Sequence, residues 1–219
     1  MKCPRCVQRI HRAASSCPHC GFTVEHADEL FGSDDVVLQK FTDAAGVLRM
    51  KEREPMRRLL ERFEAKFPQL FVAVYIGAFE ELQSLRQFGF WLLNRAAFSD
   101  VDLERPNENG VLVVIDVKAK SVGITFGYSL MPYLSEDSTF EALSAAHPSL
   151  LQSEYLGALR VVLRRLEKTL KKGWRQVRRN PESILSVGGQ MPKPAGELLQ
   201  KIREGNRVSG EKTKKIQRS

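Results

Sequence analysis

Four cysteines near the N-terminus are the residues of this chain whose spacing most clearly predicts a chemical role. They form two pairs, Cys3-Pro4-Arg5-Cys6 and Cys17-Pro18-His19-Cys20, with ten residues between them. Two thiolates three residues apart can bind one metal ion from a single turn, and two such turns supply the four tetrahedral ligands of a closed structural zinc site. We therefore predict that these four cysteines bind Zn²⁺ and leave no coordination position for a substrate.

Redox chemistry and disulfide formation are the other uses of paired cysteines. A thioredoxin-like redox pair normally follows a strand in a βαβ unit, and neither pair does so here. The chain opens with Met1-Lys2-Cys3-Pro4 and holds no run of eighteen apolar residues, so we expect neither a signal peptide nor a spanning helix. We expect a cytoplasmic protein, in which paired thiols more often bind metal. His19 could replace one cysteine ligand, although an exposed position in the turn is the simpler interpretation.

Side chains suited to nucleophilic catalysis are scarce. Three of the four histidines lie at positions 11, 19 and 26, and His147 directly precedes Pro148. Because the cysteines are assigned to metal, we predict no Ser/His or Cys/His pair, and the chain has no phosphate-binding Gly-x-x-x-x-Gly-Lys loop. Hydrolysis assisted by a carboxylate-bound metal ion is the enzymatic route that remains.

The positive charge is concentrated in the last part of the chain. Residues 1–159 hold 17 Lys and Arg against 21 Asp and Glu, whereas residues 160–219 hold 17 against five. Such a segment can bind nucleic acid, anionic lipid head groups or acidic proteins, or it can be a solvated surface. Trp174 is the single aromatic there, so stacking on bases has little support. We expect another protein as partner, with an anionic membrane surface or nucleic acid as further candidates through residues 160–219.

The elements that must position these residues follow from the hydrophobic periodicity. After Pro55, apolar residues recur at helical spacing until Pro68, which predicts a first helix. Two apolar runs predict buried strands, and a short connection after the second run predicts a hairpin with a third strand. Two further segments with apolar residues at helical spacing predict two more helices. The predicted strands are 70–76, 111–115 and 121–126, and the predicted later helices are 80–98 and 151–172. This order predicts a layered α/β domain with a mixed sheet.

Composition divides the chain into three domains, with a short acidic connector between the first two. We predict a four-cysteine zinc ribbon at residues 1–26, an α/β domain at residues 36–173, and a basic, flexible C-terminal extension at residues 174–219, where Gly and Pro recur.

Three motifs of the central domain, in this order, resemble those of the TPM-domain family. They are Phe41-Thr42-Asp43-Ala44-Ala45-Gly46-Val47-Leu48, then Asn107-Glu108-Asn109-Gly110-Val111-Leu112-Val113-Val114, then Ile124-Thr125-Phe126-Gly127-Tyr128-Ser129-Leu130. The resemblance covers about residues 38–172. It implies an α/β/α sandwich with a mixed sheet, here preceded by a small zinc ribbon.

The resemblance also implies a divalent-cation site for Ca²⁺ or Mg²⁺, formed by acidic loop residues, which are ligands that hard cations prefer. The candidate ligands are Asp43, Glu108, Asn109, Asp116 and Asp137. Glu136 competes with Asp137 for the matching position, and Asp116 is suggested by its place at the end of the strongest strand rather than by the family. Each candidate has a structural alternative: a turn residue at Asp43, Glu108 and Asn109, and a helix cap at Asp137.

The sequence thus favours an accessory or binding protein with a structural zinc ribbon and a TPM-like domain that binds a divalent cation. The first alternative is a metal-dependent phosphatase, because an acid phosphatase activity has been proposed for some plant members of the family. The second is a nucleic-acid-binding protein that uses the ribbon and the basic tail.

Overall fold

A computed structural model describes residues 2–11, 14–34, 36–80, 82, 84–101 and 106–179. The predicted basic extension therefore lies outside the described residues from position 180 onward. The helices are α1 (Val24–Phe31), α2 (Met50–Glu64), α3 (Leu85–Arg95), α4 (Glu136–Leu151) and α5 (Tyr155–Arg179). The strands are β1 (Val36–Leu38), β2 (Phe41–Asp43), β3 (Phe71–Gly77), β4 (Ala96–Phe98), β5 (Gly110–Asp116) and β6 (Ser121–Phe126).

A mixed sheet of four strands lies at the centre, in the order β2-β3-β5-β6. The strands β2, β3 and β5 are parallel, whereas β6 forms an antiparallel hairpin with β5. Every residue of β5 is buried, as expected for a central strand that is covered on both faces. The short strands β1 and β4 form a separate parallel pair.

Helices cover both faces of this sheet, which confirms the predicted α/β/α sandwich. On one face, Val72, Val74 and Ile76 of β3 pack in a core with α2, α4 and α5. On the other face, alternate residues such as Phe71 and Leu112 pack with α1 and α3. The helix α5 contacts both α2 and α4, so it is the middle helix of its layer.

The N-terminal cysteine-rich segment packs against α3. We call residues 2–11 and 14–31, which end with α1, the head. Phe22 of the head is buried and lies 5.9 Å from the ring of Phe90 in α3. Directly after α1, the carbonyl oxygen of Gly32 accepts a 2.8 Å hydrogen bond from the indole nitrogen of Trp91 in α3. The head is therefore continuous with the apolar core on that face of the sheet.

Several elements differ from the sequence prediction. The helix expected after Pro55 already begins at Met50, and the one predicted over 80–98 spans only Leu85–Arg95 because its last residues form β4. The helix α4 was not predicted, since its buried positions are mostly small or polar residues: Thr139, Ala142, Ala146 and Leu150. The long helix begins at Tyr155 and continues past residue 172 to Arg179.

Candidate metal centre and the acidic residues of the sheet

The four cysteines converge in the structure. Their sulfur atoms all lie within 4.8 Å of one another, and the Cys3–Cys20 and Cys6–Cys17 Sγ–Sγ distances are both 3.6 Å. None of the four is in a disulfide. Four sulfurs at about 2.3 Å from a tetrahedral zinc ion would be separated by about 3.8 Å, so this arrangement suits a single tetrahedral metal ion.

Backbone hydrogen bonds fold each cysteine pair into the same turn. In the first turn the N–H of Val7 donates to the carbonyl oxygen of Cys3, and in the second the N–H of Gly21 donates to Cys17, at 3.0 and 2.8 Å. Val7 and Gly21 both adopt left-handed backbone conformations, with φ of 65° and 70°. Glycine adopts this conformation without strain, whereas β-branched valine rarely does. The glycine was a visible signal in the sequence, and the equivalent role of Val7 was not.

The thiols of the turns influence one another's ionisation. Burial opposes ionisation of Cys17, but backbone N–H groups of His19 and Cys20 and the neighbouring thiols donate to its sulfur and lower its pKa to about 6. The N–H of Gln8 favours the Cys6 thiolate, but burial and the other thiols outweigh it and raise the pKa of Cys6 to about 12. Because a metal requires all four as thiolates, its binding must release protons.

Two cysteines of the cluster are buried, and Cys6 and Cys20 are partly exposed. Cys3 and Cys17 are buried in the core that includes Phe22 and Ala27. His19 is exposed and is not part of the cluster. Within the described ranges, these cysteines are the only group of three or more Cys, His, Asp or Glu side chains close enough to share a metal ion.

Asp43 ends β2, and its carboxylate binds the following loop. It accepts hydrogen bonds from the N–H groups of Val47 and Leu48 at 3.2 and 3.0 Å, and from Arg53 at 3.2 Å. The carboxylate is almost fully buried, with 1% of the side chain exposed. Its charge is thus balanced by Arg53, and the carboxylate holds the chain that leads into α2.

Asp116 ends β5 at the same edge of the sheet as Asp43. The register pairs Asp43 with Ile76 and Asp116 with Gly77 on the intervening strand β3. Since successive side chains of a strand point to opposite faces, Asp43 lies on the face of α2 and Asp116 on the face of α3. The buried carboxylate of Asp116 accepts from the N–H groups of Lys118 and Ala119, at 2.9 and 3.3 Å, and so forms the turn of the hairpin.

Glu108 and Asn109 lie at the opposite end of the sheet. They belong to the 3₁₀ turn Asn107–Asn109 that precedes β5, whereas Asp116 ends that strand. The strand spans about 20 Å at about 3.3 Å per residue. Glu108 is exposed, and its charge adds to burial in raising the pKa of Tyr128. The Asn107 side chain donates to the carbonyl oxygens of Leu93 and Ala96, at 2.8 and 2.9 Å.

Asp137 lies exposed in the first turn of α4, where a negative charge is favoured by the helix dipole. Ser135 caps this helix through a hydrogen bond from the N–H of Ser138. The neighbouring Glu136 forms an ion pair with Lys2 of the head at 2.7 Å and lies 3.6 Å from Arg86 of α3. The five candidate cation ligands therefore occupy both ends and both faces of the sheet and do not surround one point.

The helix α5 presents a row of basic side chains to solvent. All nine Lys and Arg residues of 160–179 are exposed. They are Arg160, Arg164, Arg165, Lys168, Lys171, Lys172, Arg175, Arg178 and Arg179. At about 100° per residue they fall within an arc of about 140°, so they form one continuous surface, which we call the basic stripe. Within the described residues, no helix is both long and apolar enough to cross a bilayer.

Comparison with known proteins identifies the central domain. A sequence model of the TPM domain matches residues 41–169, more than half of the chain. No curated protein sequence matches.

Three solved structures resemble this chain at low sequence identity. The N-terminal domain of the cg2496 protein from Corynebacterium glutamicum is 14% identical and has a TM-score of 0.47, with 60% of this chain and 79% of that chain covered. The N-terminal domain of a protein from P. gingivalis is 18% identical, with a TM-score of 0.47 and coverage of 70% and 94%. The BA42 protein from Bizionia argentinensis is 16% identical, with a TM-score of 0.48 and coverage of 58% and 83%.

Proposed function

This chain belongs to the TPM-domain family, and we propose that it is an accessory binding protein in which a structural Zn²⁺ fastens the N-terminal head to the TPM domain. The observation that carries this proposal is the convergence of the four cysteine sulfurs, all within 4.8 Å of one another. Four thiolates in a tetrahedral arrangement are the ligand set typical of Zn²⁺, although iron can occupy similar sites.

The position of the cluster supports a structural role for the metal. With four cysteines bound, a tetrahedral ion has no open position, so it cannot activate water or bind substrate. Cys3 and Cys17 lie in the same core as residues of α1 and α3, such as Ala27 and Leu92. A metal that holds the two cysteine turns together would therefore also hold the apolar surface that packs on α3.

The structure favours binding over catalysis because the buried candidate carboxylates already have structural partners. Asp43 is paired with Arg53, and Asp116 accepts backbone hydrogen bonds in its hairpin turn. Because the five candidates do not surround one point, a Ca²⁺ or Mg²⁺ site would have to form around one of them alone. Asp43 is the residue to test. The residues do not fit one shared ion, so we derive no phosphatase step from them.

A location in the cytoplasm is part of this proposal. It is supported by the four free thiols, because compartments that keep thiols reduced preserve cysteine-ligated metal sites.

The test removes one ligand and follows both the metal and the packing of the head. We expect Cys6→Ser in the full chain to lose the bound zinc and to expose Phe22 and α1, seen as faster amide exchange there while β5 stays protected. His19→Ala is the matched control, because His19 is exposed in the equivalent turn and is not part of the cluster. Retention of zinc and of head protection in Cys6→Ser would overturn the proposal.

A further inference from the structure

The basic stripe of α5 is long and dense in charge. It extends from Arg160 to Arg179, which is about 28 Å of helix at about 1.5 Å per residue. The same segment contains one acidic residue, Glu167. By contrast, α2 alternates five basic with four acidic residues, so its net charge is close to zero. The positive potential of the helical layer is therefore concentrated on α5.

Most charges of the stripe are not neutralised within the protein. Lys171 is the one member of the stripe that forms an ion pair inside the described part of the chain, at 2.7 Å from Glu167. Glu167 is itself shared with Lys66, which follows α2. Nine exposed cations on one side of a helix repel one another, so they favour an anionic partner that lies along the whole stripe.

The shape of this surface favours a flat partner. The helix α5 contacts both α2 and α4, so it is flanked by helices over the part that carries its buried residues, which end at Leu170. A helix that reads DNA must enter the major groove, and the flanking helices obstruct that approach over the half of the stripe from Arg160 to Lys168. Single-stranded nucleic acid is bound through aromatic platforms, but Trp174, the one aromatic residue of 160–179, is stacked on Tyr133.

Two aromatic side chains of the same helical layer are exposed. Phe140 of α4 is 70% exposed and Trp174 of α5 is 48% exposed. The interfacial region of a bilayer accommodates aromatic side chains of this kind, Trp in particular. Together with the charge, this composition suits a lipid head-group surface better than a nucleic acid.

We propose that the basic stripe of α5 binds the surface of an anionic lipid bilayer. The C-terminal residues 180–219 are not a suitable occupant, because they carry eight basic residues against four acidic ones and would be repelled. Each Lys or Arg near an anionic membrane strengthens binding about fivefold, so the nine charges suffice for reversible peripheral attachment. This inference goes beyond the proposed function and does not depend on the zinc site.

The experiment measures sedimentation of the metal-loaded full chain with vesicles of phosphatidylcholine containing about 30% phosphatidylglycerol, an anionic lipid. The variant Arg164→Gln/Lys168→Gln/Arg175→Gln neutralises the centre of the stripe. Lys51→Gln/Arg57→Gln/Arg62→Gln removes the same charge from exposed positions of α2 and is the matched control. We expect binding to pure phosphatidylcholine to be negligible. The stripe variant should bind the anionic vesicles about 100-fold more weakly, and the control should stay within about threefold of the unmodified chain.

Three results would overturn the proposal. The first is no binding to anionic vesicles at about 50 mM salt, where screening is weak. The second is an equal loss in both variants, which would indicate a general charge effect. The third is tighter binding of duplex DNA or RNA at the same salt with loss in the stripe variant, which would assign the stripe to nucleic acid. Zinc content, measured in the same samples, tests the metal site separately.

Discussion

Arg95 of α3 donates hydrogen bonds from Nε and Nη2 to the two carboxylate oxygens of Asp28 in α1. This paired contact joins α1 of the head to α3 of the TPM domain. Lys2 of the head also forms an ion pair with Glu136 of α4, at 2.7 Å. The head is thus held by ion pairs, by the contact of Phe22 with Phe90, and by the packing of the cysteine turns.

Asp28→Asn should lower the stability of the head in a pH-dependent way. The hydrogen bond from Arg95 holds the pKa of Asp28 below its ordinary value of 3.8. The stabilisation by the ionised carboxylate is therefore complete above pH 3.8. It is lost as the pH falls through the lower pKa that Asp28 has in the folded state. At pH 7 we expect the urea concentration at the unfolding midpoint to be higher for the unmodified chain than for the variant. This difference should become smaller as the pH is lowered. Glu29→Gln, at an exposed position of α1, is the control, and an equal effect there would contradict this assignment.

Gly127→Ala should strongly destabilise the TPM domain. A Cβ atom at Gly127 would lie 2.1 Å from the backbone carbonyl oxygen of Glu108, which cannot move without distorting the start of β5. We expect a loss of more than about 3 kcal/mol in the free energy of unfolding, measured in urea. In Gly157→Ala, within α5, the new Cβ meets only ordinary contacts at 3.5 Å, so we expect a gain of about 0.5–1 kcal/mol. Similar free energies of unfolding for the two variants would contradict the close contact between Gly127 and the backbone of Glu108.

Val7→Gly should stabilise the metal-bound head. Val7 adopts φ of 65° in the turn where the second cysteine pair has Gly21. A left-handed conformation costs a residue with a Cβ roughly 1–2 kcal/mol, part of which is offset by the greater entropy of unfolded glycine. We expect a net gain of about 0.5–1 kcal/mol, and a loss of about 1–2 kcal/mol in the reciprocal Gly21→Val. Thermal unfolding of the zinc-loaded proteins measures both, and a destabilised Val7→Gly would show that Val7 is not strained.

Asp43→Ala tests whether this carboxylate is structural or binds a cation. Its loss would leave two backbone N–H groups and Arg53 without their acceptor, so we expect destabilisation by about 2–4 kcal/mol. The effect should be the same in excess chelator and in millimolar Ca²⁺ or Mg²⁺, and Asp137→Ala should cost less than about 1 kcal/mol. A saturable stabilisation of the unmodified chain by either ion, abolished in Asp43→Ala, would instead establish the cation site.

The sequence alone predicted the elements whose structure depends on residues within the same segment. The strand 111–115 is apolar at every position, which predicts burial on both faces, and β5 occupies that place. The end of α3 could not be predicted, because residues 96–98 join β4 through pairing with the distant strand β1. The helix α4 was missed because Ala142 and Ala146 bury little apolar surface, and Pro148 lies within it.

The same distinction applies to the candidate sites. The cysteine cluster follows from spacing alone, since each pair needs only its own turn and the two turns share one ion. The separation of Asp43 from Asp116 depends on the register of β2 and β5 against β3, and no local signal in the sequence carries that register. The basic stripe was visible as a charge run, but its position between α2 and α4 depends on tertiary packing.

The most direct test of the structural metal site is zinc K-edge X-ray absorption on the full chain, with metal content measured on the same sample. We expect one zinc ion per chain with four sulfur ligands at about 2.3 Å and no oxygen or nitrogen ligand. Absence of tightly bound metal, iron in place of zinc, or a first coordination shell containing oxygen or nitrogen would contradict this expectation.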